Sequence, residues 1–323
     1  MDEPSDYAPG PSADTRLQGD PASTLRILIA TDNHLGYAEK DPVRGNDSFD
    51  AFEEILRYAR DLDVDMMVLG GDLFHDNKPS RRTLHRAMQL LRHYCLGDRE
   101  SSLELLSDAT RVLHSPFGTA NYLDPNFNVA LPVFAIHGNH DDPAGDGSLS
   151  AFDLLSTAGL LNYFGRAADV DDITITPVIL RKGTSNLALY GLGNVRDERL
   201  HRTWSAGRVR TLRPADQLRN PSRWFNMMLI HQNRAAHSPT GHIPPSFLDD
   251  HLDLVVWGHE HDCQIDPLYV PQRDLYILQP GSSTVTSLSE GEAVRKHVAF
   301  LTVIGDRFEV TPLPLRSVRP FVF

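Results

Sequence analysis

The sequence predicts an α/β fold in which two mixed β-sheets pack face to face with helices on their outer sides, an α-β-β-α sandwich. Three observations carry this. Short apolar runs alternate with amphipathic helical segments as far as residue 161, and from residue 173 onward the pattern changes to strands separated by turns. The third is chemical: five of the apolar runs deliver Asp, Asn or His at their carboxyl ends.

Residues 1–24 carry five acids against Arg16 and almost nothing to bury. They are expected to be a disordered tail, not a signal or transit peptide, with the folded domain over 25–323. LRILIATD (25–32) is a buried strand by its apolar run. Phe52, Ile55, Leu56 and Ala59 give Ser48–Asp61 the spacing of an amphipathic helix, and VDMMVLGGD (64–72) is a second buried strand. Ser80 can cap a helix with Leu84, Ala87, Met88, Leu91 and Cys95 on one side, and Gly97 can stop it. The stretch 98–131 reads as irregular, PVFAIHGNHD (132–141) as a strand, and 148–161 as a helix turning Leu149, Phe152, Leu155 and Leu160 inward. Strands then follow in ITITPVIL, NLALYGLG, FNMMLIH, LDLVVWGHEH, LYILQPG, HVAFLTVI and RFEVTPLPL.

Composition narrows the function. A chain of 323 residues, 41% apolar, can bury a large core. Its net charge of −12 excludes coating nucleic acid or an anionic membrane by bulk charge, so DNA binding would need a local positive site, a bound metal or a partner. Cys95 and Cys263 cannot build a disulfide scaffold or a thiolate metal site. No run approaches ~18 consecutive apolar residues, so no membrane partner is expected.

The strand ends are Asp32-Asn33-His34, Gly71-Asp72, Gly138-Asn139-His140-Asp141, His231 and Gly258-His259-Glu260-His261. Taken singly, each passes for a turn or a surface pair. Together they would leave several ionisable groups at buried strand ends with no charge to satisfy them, which is costly. Metal ions remove that cost. In such sheets ligands bind beyond the strand carboxyl ends. Asp32 and His34 can share an ion through the period-2 alternation of a strand, and Asp72 is the candidate carboxylate to bridge two ions ~3.5–4 Å apart. Two divalent cations would give an acidic protein a positive site for phosphate. Nitrogen and oxygen ligation without thiolate suits manganese, iron or zinc better than calcium.

These motifs, in this order over 25–265, resemble the calcineurin-like metallophosphoesterase superfamily. DNHLGY, GDLFHDNKPS, GNHDDP, WGHEHDC and QPGSS resemble, more narrowly, the SbcD-like nucleases of MRN/MRX DNA double-strand-break repair complexes. The resemblance implies a two-sheet metallophosphoesterase sandwich and manganese-dependent hydrolysis of DNA, as exonuclease and endonuclease, in the nucleus. It implies Asp32, His34, Asp72 and His261 on one metal, and Asp72, Asn139, His231 and His259 on the other. Two Mn2+ are the implied cofactors, ahead of Mg2+, Fe or Zn. His140 would protonate the leaving oxygen, with His75 near the scissile phosphate. The implied partners are DNA, a second copy through helices near 80–96 and 148–163, and a coiled-coil ABC-type ATPase. The family continues into a DNA-capping domain where this sequence stops, and the ATPase is expected to bind mostly beyond that point.

The 98–131 stretch is long for a loop and holds Leu103, Leu105, Leu106, Val112, Phe117, Tyr122 and Phe127, with five acids against Arg99 and Arg111. It is expected to receive a basic peptide, and in the resemblance it matches the docking site of a nibrin-type subunit. His137 is expected to pack in the core and Glu260 to serve a structural role. His85, His93, His114, His201, His237, His242, His251 and His297 lie outside the motifs and are expected to be surface or satisfied core. Lys78, Arg81, Arg82 and Arg86, like the Arg-rich 196–213, fit a solvated face as well as a phosphate contact. Two other functions compete with a nuclease: a phosphatase or other phosphodiesterase of the same fold, and a scaffold that bridges DNA ends. Filled metal positions disfavour the scaffold. The run Phe74-His75-Asp76-Asn77, where phosphatases of the fold often carry Arg, disfavours the phosphatase.

Overall fold

The computed structural model describes residues 17–144, 146–220, 224–236 and 238–322. The expected tail lies outside the described residues as far as residue 16, and His237 does so too. Order begins earlier than Leu25: the backbone N–H of Leu17 donates to Glu309, and Ser23 is buried with its carbonyl accepting from the Ser185 hydroxyl.

The first half runs β1 (Leu25–Ala30), α1 (Asp47–Asp61), β2 (Met66–Gly70), α2 (Arg81–Cys95), β3 (Glu104–Leu105), α3 (Ala109–Val112), β4 (Val133–Ile136), α4 (Ala151–Thr157) and β5 (Asn162–Tyr163). The second runs β6 (Ile173–Ile175), β7 (Val178–Lys182), β8 (Ser185–Leu192), α5 (Asp197–Ser205), β9 (Val209–Thr211), β10 (Trp224–His231) and β11 (Leu254–Gly258). Four more strands close it: β12 (Gln264–Val270), β13 (Leu275–Gln279), β14 (His297–Ile304) and β15 (Arg307–Pro314). One sheet has the order β15-β14-β1-β2-β4-β5, the other β12-β13-β11-β10-β8-β7-β3, and β6 pairs with β9 apart from both. Strands β1, β2, β4 and β5 are parallel, as are β8, β10, β11 and β13. Both sets therefore present their carboxyl ends to one edge.

Side-chain alternation builds the layers. Ile27 and Ile29 of β1 face the second sheet, while Leu28 and Ala30 pack with Phe52, Ile55 and Leu56 of α1 on the outer side. On β8, Leu187 and Leu189 face inward and Ala188, Tyr190 and Leu192 lie with Leu200 of α5 on the opposite face. The α-β-β-α sandwich is the observed architecture.

Four expectations need correction. Gly97 does not end α2 in a left-handed turn; Leu96 becomes extended and pairs with Val129. The helix expected over 148–161 is confined to Ala151–Thr157 by a Ser150–Asp153 capping box, which leaves Leu149 58% exposed. ITITPVIL is two strands in different sheets, because Pro177 supplies no N–H to continue a ladder. The 98–131 stretch, expected to be irregular, is partly regular. It supplies β3 to the sheet edge, and Leu103, Val112, Leu113 and Ala120 are buried in the core between the sheets. The apolar side of α2 is also largely used within the chain, since Ala87, Leu91 and Cys95 are fully buried and Leu84 and Met88 pack beside them.

Candidate metal centre

Beyond the carboxyl ends of β1, β2, β4, β10 and β11 the expected residues meet. Each of two triads, Asp32/His34/His261 and Asp72/His231/His259, brings one ligand atom per residue to within 4.8 Å of the others. Asp72 Oδ2 lies 3.3 Å from His231 Nε2 and 3.9 Å from His34 Nε2, so one oxygen reaches toward both groups. Asn139 Oδ1 lies 2.8 Å from His259 Nδ1 and 3.3 Å from His231 Nε2 and completes the second group. Nε2 of His34 and Nε2 of His261 are 3.0 Å apart. A set of imidazole nitrogens, carboxylates and one amide oxygen, aimed inward from two sides with Asp72 between, fits two divalent ions and not a thiolate-loving one.

The convergence does not come from strand alternation. Asp32, His34, Asp72 and His259 all have positive φ, between 47° and 82°, and they make up half of the eight non-glycine residues so placed among the described residues. Such backbone costs roughly 1–3 kcal/mol per residue and persists only where the surroundings fix it. Here they do. The amides of Asp32 and His34 donate to the carbonyls of Gly71 and Asp72, and Ser283 N donates to Asp32 O. Gly138 must be glycine because a Cβ there would sit 2.0 Å from Asp72 Oδ1.

Each inward nitrogen is selected by a bond on the far side of its ring. His231 Nδ1–H donates to Gly70 O at 2.8 Å, His259 Nε2–H to Asn233 Oδ1 at 2.8 Å, and His261 Nδ1–H to Thr286 Oγ1 at 2.8 Å. Asn233 is fixed in turn by Asp197, which accepts from its side chain at 2.8 Å. Burial opposes protonation of His231, but the Asp72 and Asp32 carboxylates raise it to about 10. Burial raises Asp32, whereas His231 and His34 hold Asp72 well below the usual carboxylate range against its own burial. Burial lowers His34 and takes His259 down to about 4.

His140 and His75 stand beside the cluster. His140 N–H donates to Asp72 Oδ1 at 2.8 Å, its ring stacks on His75 at 5.0 Å, and its edge meets His34 at 4.9 Å. His75 Nδ1 is 3.4 Å from His34 Nδ1. His137 is buried in the core, and Glu260 accepts from the backbone of Arg234 and Ala235, as the sequence suggested for both. The Arg-rich 196–213 pairs internally, Arg199 with Asp171 and Arg210 with Asp172, and Arg86 is held by Asn46 and Asp50. Sequence reasoning missed Asn233, Thr286 and Glu292, and named Asp141 in the Gly138–Asp141 run without giving it a role. Asp141 is fully buried and ties the Gly138 turn to Phe74 by accepting both backbone N–H groups, and burial with Asp72 nearby pushes it up to about 8. Its place beside the Gly-Asn-His run was a signal; Glu292, far away in a polar loop, had none.

The chain matches the calcineurin-like phosphoesterase family over residues 25–263. It is 54% identical over 301 residues to the double-strand break repair protein mus-23 of Neurospora crassa, covering 93% of this chain and 40% of that one. Against double-strand break repair protein MRE11 of Homo sapiens it is 53% identical over 303 residues, covering 94% and 42%. The chain thus spans about two fifths of the length of these curated relatives. A crystal structure of TT1561 of Thermus thermophilus aligns with a TM-score of 0.42 at 11% identity, covering 90% of this chain and 99% of that one.

Proposed function

The chain belongs to the calcineurin-like phosphoesterase family, and from that premise we propose that it is a two-metal, manganese-dependent DNA nuclease. It would act as exonuclease and endonuclease on double-strand-break ends; the relatives mus-23 and MRE11 are named double-strand break repair proteins. The observation that carries this is the pair of adjoining triads, with Asp72 of one reaching toward His34 of the other and two histidines poised beside it. Asp32, His34, Asp72 and His261 would hold one ion; Asp72, Asn139, His231 and His259 the other. When bound, the ions draw charge from a phosphodiester and make a water acidic enough to attack it near neutral pH.

The protein's own groups supply the rest. His140 Nδ1–H is committed to His75 O at 2.6 Å, so Nε2 is the ring position that can deliver a proton to the leaving oxygen. His75, stacked on His140 and met edge-on by Tyr37 at 4.9 Å, borders the space where the phosphate would lie. The Asn77 side chain donates to Asp142, and the run Phe74-His75-Asp76-Asn77 offers no guanidinium for a terminal phosphate. Hydrolysis of matched DNA and phosphomonoester substrates with added manganese tests the reading. Cleavage of DNA is expected; preference for the monoester would make the protein a phosphatase.

The reading extends to partners. We take them to be DNA, a coiled-coil ABC-type ATPase, a nibrin-type subunit at 98–131 and a second copy of the chain, acting in the nucleus, with 25–323 as the nuclease domain. Leu149 and Leu154 are more than half exposed beside the mostly buried face of α4, which supports a self-association surface there. Light scattering at micromolar concentration should show a dimer, and a strict monomer at low salt would count against it.

A further inference from the structure

We propose that Thr286 and Glu292 act behind His261 to make the Asp32/His34/His261 position the tighter of the two metal positions. The proposal rests on the two-metal reading above. For Nε2 of His261 to face the centre, its proton must be on Nδ1. That N–H donates to Thr286 Oγ1 at 2.8 Å, and the Thr286 hydroxyl donates to Glu292 Oε1 at 3.0 Å, with Glu292 Oε1 itself 3.3 Å from Nδ1. A carboxylate behind an imidazole fixes its orientation and raises the basicity of the nitrogen that binds metal.

Glu292 is built to stay charged and still. It is 3% exposed, and it accepts from Thr286 N, Ser287 N and Ser287 Oγ at 3.0 Å each, while Lys296 Nζ lies 3.4 Å from Oε2. Lys296 in turn donates to His261 O and Ser282 Oγ at 2.9 Å, so the group grips the backbone of the metal loop as well as its ring. The histidines of the other position lack this support. His231 leans on the neutral Gly70 carbonyl and His259 on the neutral Asn233 amide, with Asp197 only one bond further back. That position also takes Asn139 where the first takes Asp32. Charge and basicity therefore both favour the first position, and Thr286 and Glu292 are positioning residues for it.

The test is calorimetric titration of chelator-treated protein with MnCl2, with bound manganese counted by electron paramagnetic resonance. Wild-type protein should bind two ions in two steps. Glu292→Gln should weaken the tighter step by roughly 10–100-fold and leave the weaker one unchanged. Should Glu292→Gln fail to fold because Lys296 loses its partner, Thr286→Val keeps that pair and should weaken the same step, with Thr286→Ser restoring it. An unchanged tighter step in Thr286→Val, or a loss confined to the weaker step, overturns the proposal. Failure of the wild type to bind two ions would instead bring down the two-metal reading beneath it.

Discussion

His140 Nδ1 lies 2.6 Å from the carbonyl oxygen of His75, and a carbonyl can only accept, so the proton on that nitrogen is fixed. The ring cannot ligate through Nδ1, and Nε2 is left to exchange a proton with substrate. His140→Asn should keep manganese affinity within a few-fold but lower turnover by roughly 10²-fold or more. Calorimetry showing lost metal binding would make His140 a ligand and remove it as the acid.

Asp72 joins the two triads through one oxygen and anchors the His140 amide through the other. Asp72→Ala should therefore abolish hydrolysis with manganese while circular dichroism shows a native sheet content, because the cores above and below are separate from the site. Retention of wild-type DNA cleavage by this variant would end the two-metal assignment.

Metal loading should depend steeply on pH. In chelated protein His231 is raised to about 10 by Asp72 and Asp32. An ion can bind its Nε2 only after the proton leaves, so at pH 7 loading releases about one proton from this residue. Apparent affinity should rise roughly tenfold per unit between pH 6 and 8. Titrations in buffers of different ionisation enthalpy measure the proton directly, and a release near zero would contradict it.

The layers and the candidate ligand set were legible in the sequence because strand ends carry their chemistry locally: Asp32, His34, Asp72, His231, His259 and His261 all sit at the end of an apolar run. How they converge was not. Period-2 alternation was expected to aim Asp32 and His34, yet both are aimed by left-handed backbone that only tertiary bonds can hold. Glu292 was invisible for a related reason, since its contact with His261 spans 31 residues of turn-rich chain. The 98–131 stretch was only half legible because its apolar residues face two ways. Leu103 and Val112 fill the core, whereas Leu106, Phe117 and Leu123 are about half exposed or more.

That division changes how partner docking at 98–131 should be tested. Deleting 104–127 would remove β3 and part of the core, so loss of binding would mean nothing. Phe117→Ser with Leu123→Ser changes only exposed side chains and should shift the melting temperature by no more than a few degrees. A basic partner peptide that binds wild type should lose about tenfold or more in affinity, with manganese-dependent hydrolysis unchanged. Equal peptide binding by the two proteins would remove this surface from consideration.

His137 should make stability fall on the acid side for a reason unconnected with metal. Its Nε2–H donates to Asn194 O at 3.3 Å, so Nδ1 has no proton and accepts from Tyr163 Oη–H at 2.8 Å. Both nitrogens are satisfied in the neutral ring, and burial lowers the folded-state value to about 3. The unfolded chain protonates near the ordinary value of about 6.5. Between the two values the unfolded state holds the extra proton, so the contribution is complete above about pH 6.5 and is lost as pH falls toward 3. At pH 5 the loss is on the order of 2 kcal/mol. His137→Gln can keep a donor and an acceptor but cannot titrate. In chelator, denaturant melts at pH 7 and pH 5 should therefore show a smaller pH-dependent drop for the variant than for wild type. An equal drop in both proteins would mean that His137 is already charged, or already released, in the folded state.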